Sequence, residues 1–324
     1  MKRPIAIIAG EPNSISSEII FKSWILRKKF KHNPFFVIGS IDLLNLQKKR
    51  LKYKIKLKKI DNNFKKKDLV GSELPIYDIK YNQKKPFEKI SKKSNKYIFN
   101  CFKLAINLIK QKKISGIINC PVSKETLFKG KNIGITEYLS KKFGNKNNEV
   151  MLIYNKKLSV SPLTTHIPIK NISKKIKKKD IINKLKIISN FYSKSLNKLP
   201  KIAVLALNPH SHSNSKFSEE KKIIFPAINE SRKLKINVIG PISPDTSFMN
   251  YKKNKIDVIF GMYHDQVLTG LKALYNFDAI NITLGLPFIR ISPDHGTAFD
   301  IVGKNIANPK SLISSIRFLS KLYT

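Results

Sequence analysis

Acidic side chains are scarce in this chain. Its 324 residues hold 21 Asp and Glu against 63 Lys and Arg, a formal net charge of +42. Arginine is scarcer still: it stands only at positions 3, 27, 50, 232, 290 and 317, which leaves 57 lysines. That shortage argues against a nucleic-acid reader, because such proteins use arginine's planar fork for bidentate contacts. No run of aromatics interleaved with arginines offers a stacking platform instead. The lysines scatter through stretches such as Lys65–Lys67 and Lys174–Lys179, and Ile and Asn are frequent alongside them. Such a composition suggests an A/T-rich coding sequence drifting at solvent-exposed positions. The remaining field should still attract anionic substrates and polyanions.

Cysteine is also nearly absent. Cys101 and Cys120 lie in apolar segments without Cys-x-x-Cys spacing, which excludes a disulfide framework and points to reduced packing residues in a cytoplasmic protein. No run approaches the roughly 18 apolar residues of a membrane span. The apolar stretch Ile5–Ala9 is too short for a signal peptide and reads as a first strand. Gly10 is followed by Glu-Pro-Asn-Ser-Ile-Ser, so the glycine-rich loop of an ordinary Rossmann dinucleotide site is missing.

What is present is an alternation of short apolar runs and amphipathic stretches. Pro4–Ala9 and Pro34–Ile38 read as strands. Ser16–Phe30 and the segment from Ile41 read as helices. Residues 52–95 are lysine-rich and weakly periodic, and read as an exposed excursion with short strands. A long helix is expected over Phe87–Lys113, then a strand over Ser115–Cys120. A second strand-rich block begins near Glu149, with helices around 172–198, 219–234, 265–275 and 309–323. Buried strands between amphipathic helices imply an α/β fold with a mostly parallel sheet. A chain this long should divide into two domains.

Three histidines end three apolar runs: His166 after Val160–Thr165, His210 after Ile202–Asn208, and His264 after Val258–Tyr263. Strands laid side by side bring such ends together, where open α/β sheets bind ligands. Three imidazoles without a fourth protein ligand suit a catalytic divalent metal, because the vacant position accepts substrate or water. The plainer alternative is that each histidine is a lone polar residue closing a strand.

The stretch from Asn281 to Asp300 packs Gly, Pro, Asp, His, Arg and Asn between apolar runs. Glycine permits close backbone approach to a ligand, and Asp294, His295, Thr297 and Asp300 offer hydrogen-bonding groups for a ribose or an amide. Lys272, Arg290, Asn281 and Thr136 could surround a phosphate through charge-assisted hydrogen bonds.

Several segments together resemble the 4-hydroxythreonine-4-phosphate dehydrogenase family. They are Thr136-Glu-Tyr-Leu139, Thr164-Thr-His-Ile-Pro168, Leu207-Asn-Pro-His210, Gly240-Pro-Ile-Ser-Pro-Asp-Thr246, Met262-Tyr-His-Asp-Gln266 and the 281–300 stretch, in an order that spans most of the chain. The resemblance implies an isocitrate/isopropylmalate dehydrogenase-like fold with a cleft between two domains, 1–125 plus 285–324 and 126–284. It implies NAD-dependent oxidation and decarboxylation of 4-phosphohydroxy-L-threonine to 3-amino-2-oxopropyl phosphate, a step of pyridoxine 5'-phosphate biosynthesis. It makes His166, His210 and His264 the ligands of Zn, Mg, Co or Mn. Thr136, Asp245, Lys272, Asn281 and Arg290 become substrate contacts, with Lys272 also in the catalytic set. Asp294, His295, Gly296, Thr297, Ala298, Asp300 and Asn308 become contacts of NAD or NADP; no arginine beyond Arg290 lies near that loop to hold a 2'-phosphate, and the choice between the two stays open. The implied assembly is a cytoplasmic homodimer with a shared active site, Asp245 reaching the partner's site.

The chain departs from the family pattern at four places. Asn13-Ser-Ile-Ser16 replaces a loop with two glycines, and Ile135 replaces a histidine expected to touch substrate. Ser211–Ser215 replaces a glycine-containing run and brings His212 near His210. Pro293 precedes Asp294 where an ordinary apolar residue is usual. Two alternatives follow: a dehydrogenase of another phosphorylated hydroxy acid, such as a threonate or erythronate phosphate, or a decayed polyanion-binding protein.

Overall fold

The computed structural model describes residues 3–128, 134–142, 148–211, 218–276 and 278–322. The chain divides into two compact units, Met1–Lys131 with Phe288–Thr324, and Asn132–Pro287.

The strands of the first unit are β1 (Ile5–Ile8), β2 (Phe35–Gly39), β3 (Leu57–Ile60), β4 (Leu74–Asp78) and β5 (Gly116–Asn119), joined by β12 (Ile289–Pro293). Their order is β3-β4-β2-β1-β5-β12, and every pairing among them is parallel. Parallel neighbours need crossovers. Helices Ser16–Leu26, Ile41–Arg50 and Asn95–Lys110 supply them, and Lys310–Leu322 follows β12. β1 is Ile-Ala-Ile-Ile with no exposed residue, as a strand covered on both faces must be.

Two expectations for this unit need correction. The short strands expected within residues 52–95 are present as β3 and β4, but they extend the sheet instead of forming an exposed excursion, and Leu74 and Ile76 are fully buried. The lysines of β3 flank an edge strand, where charge discourages pairing with another chain. The long helix spans Asn95–Lys110, not 87–113. Its expected first turns are occupied otherwise, because the Glu88 N–H donates to Asn13 Oδ1 at 2.8 Å. It ends at Lys110, two residues before Lys112 takes φ 57°, a left-handed conformation that a helix cannot continue through.

The strands of the second unit are β6 (Val150–Tyr154), β7 (Ser159–Thr164), β8 (Ile202–Leu205), β9 (Val238–Ile242), β10 (Val258–Tyr263) and β11 (Ile280–Leu284). Their order is β11-β6-β7-β10-β8-β9. β6 runs antiparallel to both neighbours, while β7, β10, β8 and β9 are parallel. Val160, Leu205, Ile259, Val267 and Leu271 belong to one buried cluster beneath helix His264–Tyr275. Gly261 lets that helix fold back onto its own strand: a Cβ there would lie 2.5 Å from Val267 Cγ1.

The helix expected over 172–198 is interrupted, as Ile172–Lys175 and Lys178–Leu196, and ends at Asn197 with φ 50°. The helix expected over 219–234 opens with a wide π turn, Glu220–Ile224, before the α-helix Phe225–Lys233. π turns mark places where a side chain is re-aimed, often at functional sites.

Candidate active site

β7, β10 and β8 are consecutive parallel strands, with Tyr263 in register with Thr164. Their C-terminal ends therefore lie side by side, and each is followed by a histidine. His264 starts the helix after β10. His166 lies two residues beyond the last residue of β7. Their ring centroids are 6.1 Å apart, with planes inclined at 39°. His264 Nδ1 lies 2.9 Å from Asp265 Oδ1, a contact that fixes which ring nitrogen faces away from the carboxylate. His210 stands apart, on a left-handed turn at φ 55° and ψ 21° after β8. Its side chain is 80% exposed, and its Nδ1 is 3.8 Å from Asp245 Oδ2. Thus Asp245 lies against His210 of its own chain. Among the described residues, no three imidazole, thiol or carboxylate groups are gathered as a metal set. The structure brings His166 and His264 together and leaves His210 outside the pair. His212 lies outside the described residues.

Two side chains to which the sequence reading gave no role fasten these strand ends. Gln266 Oε1 accepts the Met262 N–H at 2.7 Å, and its Nε2 donates to the Ala206 carbonyl at 2.7 Å. One amide thus ties the end of β10 to the end of β8. Thr164 Oγ1 donates to the Met262 carbonyl at 2.7 Å, tying β7 to β10. Beyond β8, Glu220 Oε1 accepts the N–H groups of Leu207 and Asn208, both at 2.9 Å, and its Oε2 accepts Asn208 Nδ2 at 2.9 Å. Burial raises the Glu220 pKa, but these hydrogen bonds, led by the Asn208 N–H, outweigh it and hold the carboxyl below its ordinary range. A signal did exist in the sequence: Glu219-Glu220 is the one adjacent pair of acids in a strongly basic chain.

The proposed substrate residues fall into separate groups. Thr136 Oγ1 and Thr283 Oγ1 are 3.1 Å apart. Asn281 and Thr283 alternate along β11 and share one face of it. Asn281 Oδ1 is buried and has no hydrogen-bond partner, a group that an incoming donor would satisfy. Ile135 is 3% exposed at the first turn of helix Ile135–Lys142, so it acts as packing there. Lys272 is exposed on helix His264–Tyr275. It is eight residues beyond His264, or about 12 Å along the axis. Arg290 belongs to the first unit. It is 4% exposed on β12, and its Nε donates to Asn119 Oδ1 of β5 at 2.6 Å.

The 294–308 segment of the first unit is held by backbone bonds. The Asp294 N–H donates to Ser311 Oγ at 2.9 Å, and the Thr297 carbonyl accepts the Ile15 N–H at 3.2 Å. Asn308 Oδ1 accepts the Lys310 N–H at 2.9 Å, so it caps the last helix. Ala298 takes a left-handed conformation at φ 46°. A Cβ on Gly296 would meet nothing within 4 Å, leaving open space above the backbone. His295 Nε2 is buried without a hydrogen-bond partner, and burial lowers the His295 pKa, which favours a neutral ring. Phe299 and Asp300 are exposed. Glu18, which the sequence reading passed over, accepts the Ala307 N–H at 2.6 Å and Lys22 Nζ at 2.7 Å, while Lys22 also donates to the Asn305 and Ala307 carbonyls.

The glycine-poor loop after β1 fits without strain. Gly10 takes φ 78°, and a Cβ there would lie 2.4 Å from the Pro121 carbonyl oxygen. None of residues 11–17 takes a positive φ, so losing the family's glycines imposes no forbidden conformation. Asn13 and Gln83 exchange amide hydrogen bonds of 3.3 and 2.9 Å, and Ser14 Oγ bridges the Glu11 carbonyl and Ser16 Oγ, both at 2.7 Å.

Comparison with known proteins identifies the family of the chain. A 4-hydroxythreonine-4-phosphate dehydrogenase from a Sulfurihydrogenibium species is 39% identical over 321 residues, covering 96% of both chains. The D-threonate 4-phosphate dehydrogenase of Salmonella typhimurium is 32% identical and covers 99% of both. The solved 4-hydroxythreonine-4-phosphate dehydrogenase of Klebsiella pneumoniae superimposes with a TM-score of 0.84 at 29% identity, over all of both chains. The family profile described as pyridoxal phosphate biosynthetic protein PdxA matches residues 31–319. With nine-tenths of its length inside that profile, and with full-length relatives above 30% identity, the chain belongs to the PdxA family.

Proposed function

We propose that the chain oxidises and decarboxylates 4-phosphohydroxy-L-threonine, using NAD and a divalent metal, to give 3-amino-2-oxopropyl phosphate. The observation that carries this reading is the His166–His264 pair at the ends of two adjacent parallel strands. Two imidazoles on one metal have ring centroids roughly 5 Å apart, given metal–nitrogen distances near 2.0–2.1 Å, and the observed 6.1 Å is close to that. His210, from the neighbouring strand end, is the third donor in this assignment. Bound there, the metal would supply Lewis acidity at the substrate's secondary hydroxyl. The buried Asn281 Oδ1, which has no hydrogen-bond partner, would accept a bond from a substrate donor, and Thr136 and Thr283 sit on the same side of β11. Arg290 and Lys272 are assigned to the phosphate, and that remote anchor would fix the reacting carbon.

The 294–308 segment is assigned to the dinucleotide, which accepts the hydride. The unpartnered His295 Nε2 and the open backbone at Gly296 fit a polar ligand. With no arginine between positions 290 and 317, a 2'-phosphate lacks a fork to grip it, so NAD is the proposed form. A cytoplasmic homodimer with a shared active site completes the proposal. Among the described residues, no helix is long and apolar enough to cross a membrane.

A second reading, oxidation of D-threonate 4-phosphate, is supported by the similarity to the Salmonella typhimurium enzyme of that name and by Ile135, a buried side chain without a hydrogen-bonding group where the family has a histidine expected to touch substrate. Purified protein given each phosphate with NAD, with added zinc or magnesium and after chelation, tests both readings. Metal-dependent NADH from 4-phosphohydroxythreonine supports the first. NADH from the threonate phosphate alone replaces it with the second. No NADH from either, with any metal, defeats both.

A further inference from the structure

We infer that Glu220 is a positioning residue for the metal centre, which sets the backbone that carries His210. This rests on the proposed role of His210 as a metal donor. Each backbone donor between β8 and that histidine has an identifiable acceptor. The Ala206 N–H donates to the Ile242 carbonyl at 2.9 Å, which ends the β8–β9 ladder. Leu207 and Asn208 have no strand partner, and one oxygen, Glu220 Oε1, accepts both of their N–H groups at 2.9 Å. Pro209 has no N–H to place. Every backbone donor from 206 to 209 is thereby accounted for, and the next residue is His210.

The side chain of Asn208 is held as well. Its Nδ2 donates to Glu220 Oε2 at 2.9 Å and to Glu219 Oε2 at 3.1 Å. From the other side, Gln266 grips the Ala206 carbonyl at 2.7 Å. The turn that follows places His210 and Ser211 at φ 55° and 54°, conformations that non-glycine residues keep only when their surroundings impose them. Glu220 is 1% exposed, and it opens the π turn that aims it back at the strand end. A carboxylate that merely improved solubility would face water. This one accepts hydrogen bonds from three groups that lead into a candidate ligand, the Leu207 N–H, the Asn208 N–H and Asn208 Nδ2.

Zinc binding by calorimetry tests the assignment, using the full chain with Glu220→Ala, Glu220→Gln, Glu220→Asp and His264→Ala. Glu220→Ala is expected to weaken zinc binding at least tenfold, and to lower kcat while KM for 4-phosphohydroxythreonine changes less than about threefold. Glu220→Gln is expected to restore both to within about threefold, because its Oε1 can still accept both N–H groups. His264→Ala is expected to lose zinc. If it does, and Glu220→Ala binds zinc like the parent, the inference is overturned and the metal assignment stands. If His264→Ala binds zinc unchanged, the metal assignment fails and the inference with it. Should Glu220→Ala not fold, Glu220→Asp carries the comparison: it keeps the charge but is one methylene too short, and parental zinc affinity in that variant also overturns the inference.

Discussion

His166 and His264 face each other at 6.1 Å because β7 and β10 are hydrogen-bonded neighbours with Thr164 opposite Tyr263. Both residues are only half-buried, so removing either ring should cost little packing. His166→Ala and His264→Ala should each abolish metal-dependent NADH formation. The thermal midpoint should fall by no more than the few degrees that about 1 kcal/mol represents. A large loss of midpoint would show that the pair is structural.

Arg290→Lys should raise KM for the phosphorylated substrate about 10- to 100-fold and leave KM for NAD unchanged. Lysine is a point charge and cannot both donate sideways to Asn119, as the Arg290 Nε does at 2.6 Å, and present a fork to phosphate. Losing a hydrogen bond to a charged group costs about 1.5–3 kcal/mol, which sets the range. Asn119→Ala should give a smaller rise, since it removes one anchor of the guanidinium and leaves its charge in place. Initial-rate kinetics with each substrate varied in turn decide the matter.

Two buried glutamates should tilt the pH profile of stability in opposite directions. Glu11 is raised by burial, against smaller opposing bonds from the Asn13 N–H and Ser94. Its folded form holds a proton that the unfolded chain releases, so stability is lost as pH rises through the raised pKa. Glu220 is lowered. Its contribution is present above the ordinary glutamate range and is lost as pH falls through the lowered pKa. Thermal midpoints across the acid range should therefore rise more slowly with pH in Glu220→Gln than in the parent. In Glu11→Gln they should keep rising where the parent levels off. Identical profiles in all three proteins would contradict both assignments.

Gly261→Ala should destabilise the chain by about 1–3 kcal/mol, the usual cost of overpacking. The new methyl would meet Val267 Cγ1 at 2.5 Å and Gln266 Oε1 at 2.8 Å. Because Gln266 also holds the Ala206 carbonyl, activity should fall further than the loss of folded protein explains. Unfolding curves and specific activity of the folded fraction, measured together, check this.

The legible parts of the molecule were those written in local periodicity. β8 and β10 lie within the apolar runs that lead to His210 and His264, β7 matches the run before His166 to within one residue, and the mostly parallel α/β class followed from strand–helix alternation. What escaped was set by partners distant in sequence. The start of helix Asn95–Lys110 was misjudged because the Glu88 N–H is taken by Asn13, 75 residues away. The loop Asn13–Ser16 looked costly without its glycines, yet Gln83 supplies an amide that no local pattern could announce. Glu220 and Gln266 carried visible chemistry, but their targets are backbone groups, which a sequence does not distinguish.

The first unit is built from two stretches, 1–131 and 288–324, and its last strand, β12, pairs with β5. During synthesis β5 emerges long before its neighbour. At about 5–20 residues per second, the ribosome needs on the order of ten seconds or more to make the intervening second unit. Throughout that interval one edge of an apolar parallel sheet waits unpaired, an invitation to wrong partners. The unit that carries Arg290 can close only after the unit that carries the three histidines has been made. The molecule is therefore most exposed to aggregation, and to chaperone capture, as a nascent chain ending short of Ile289.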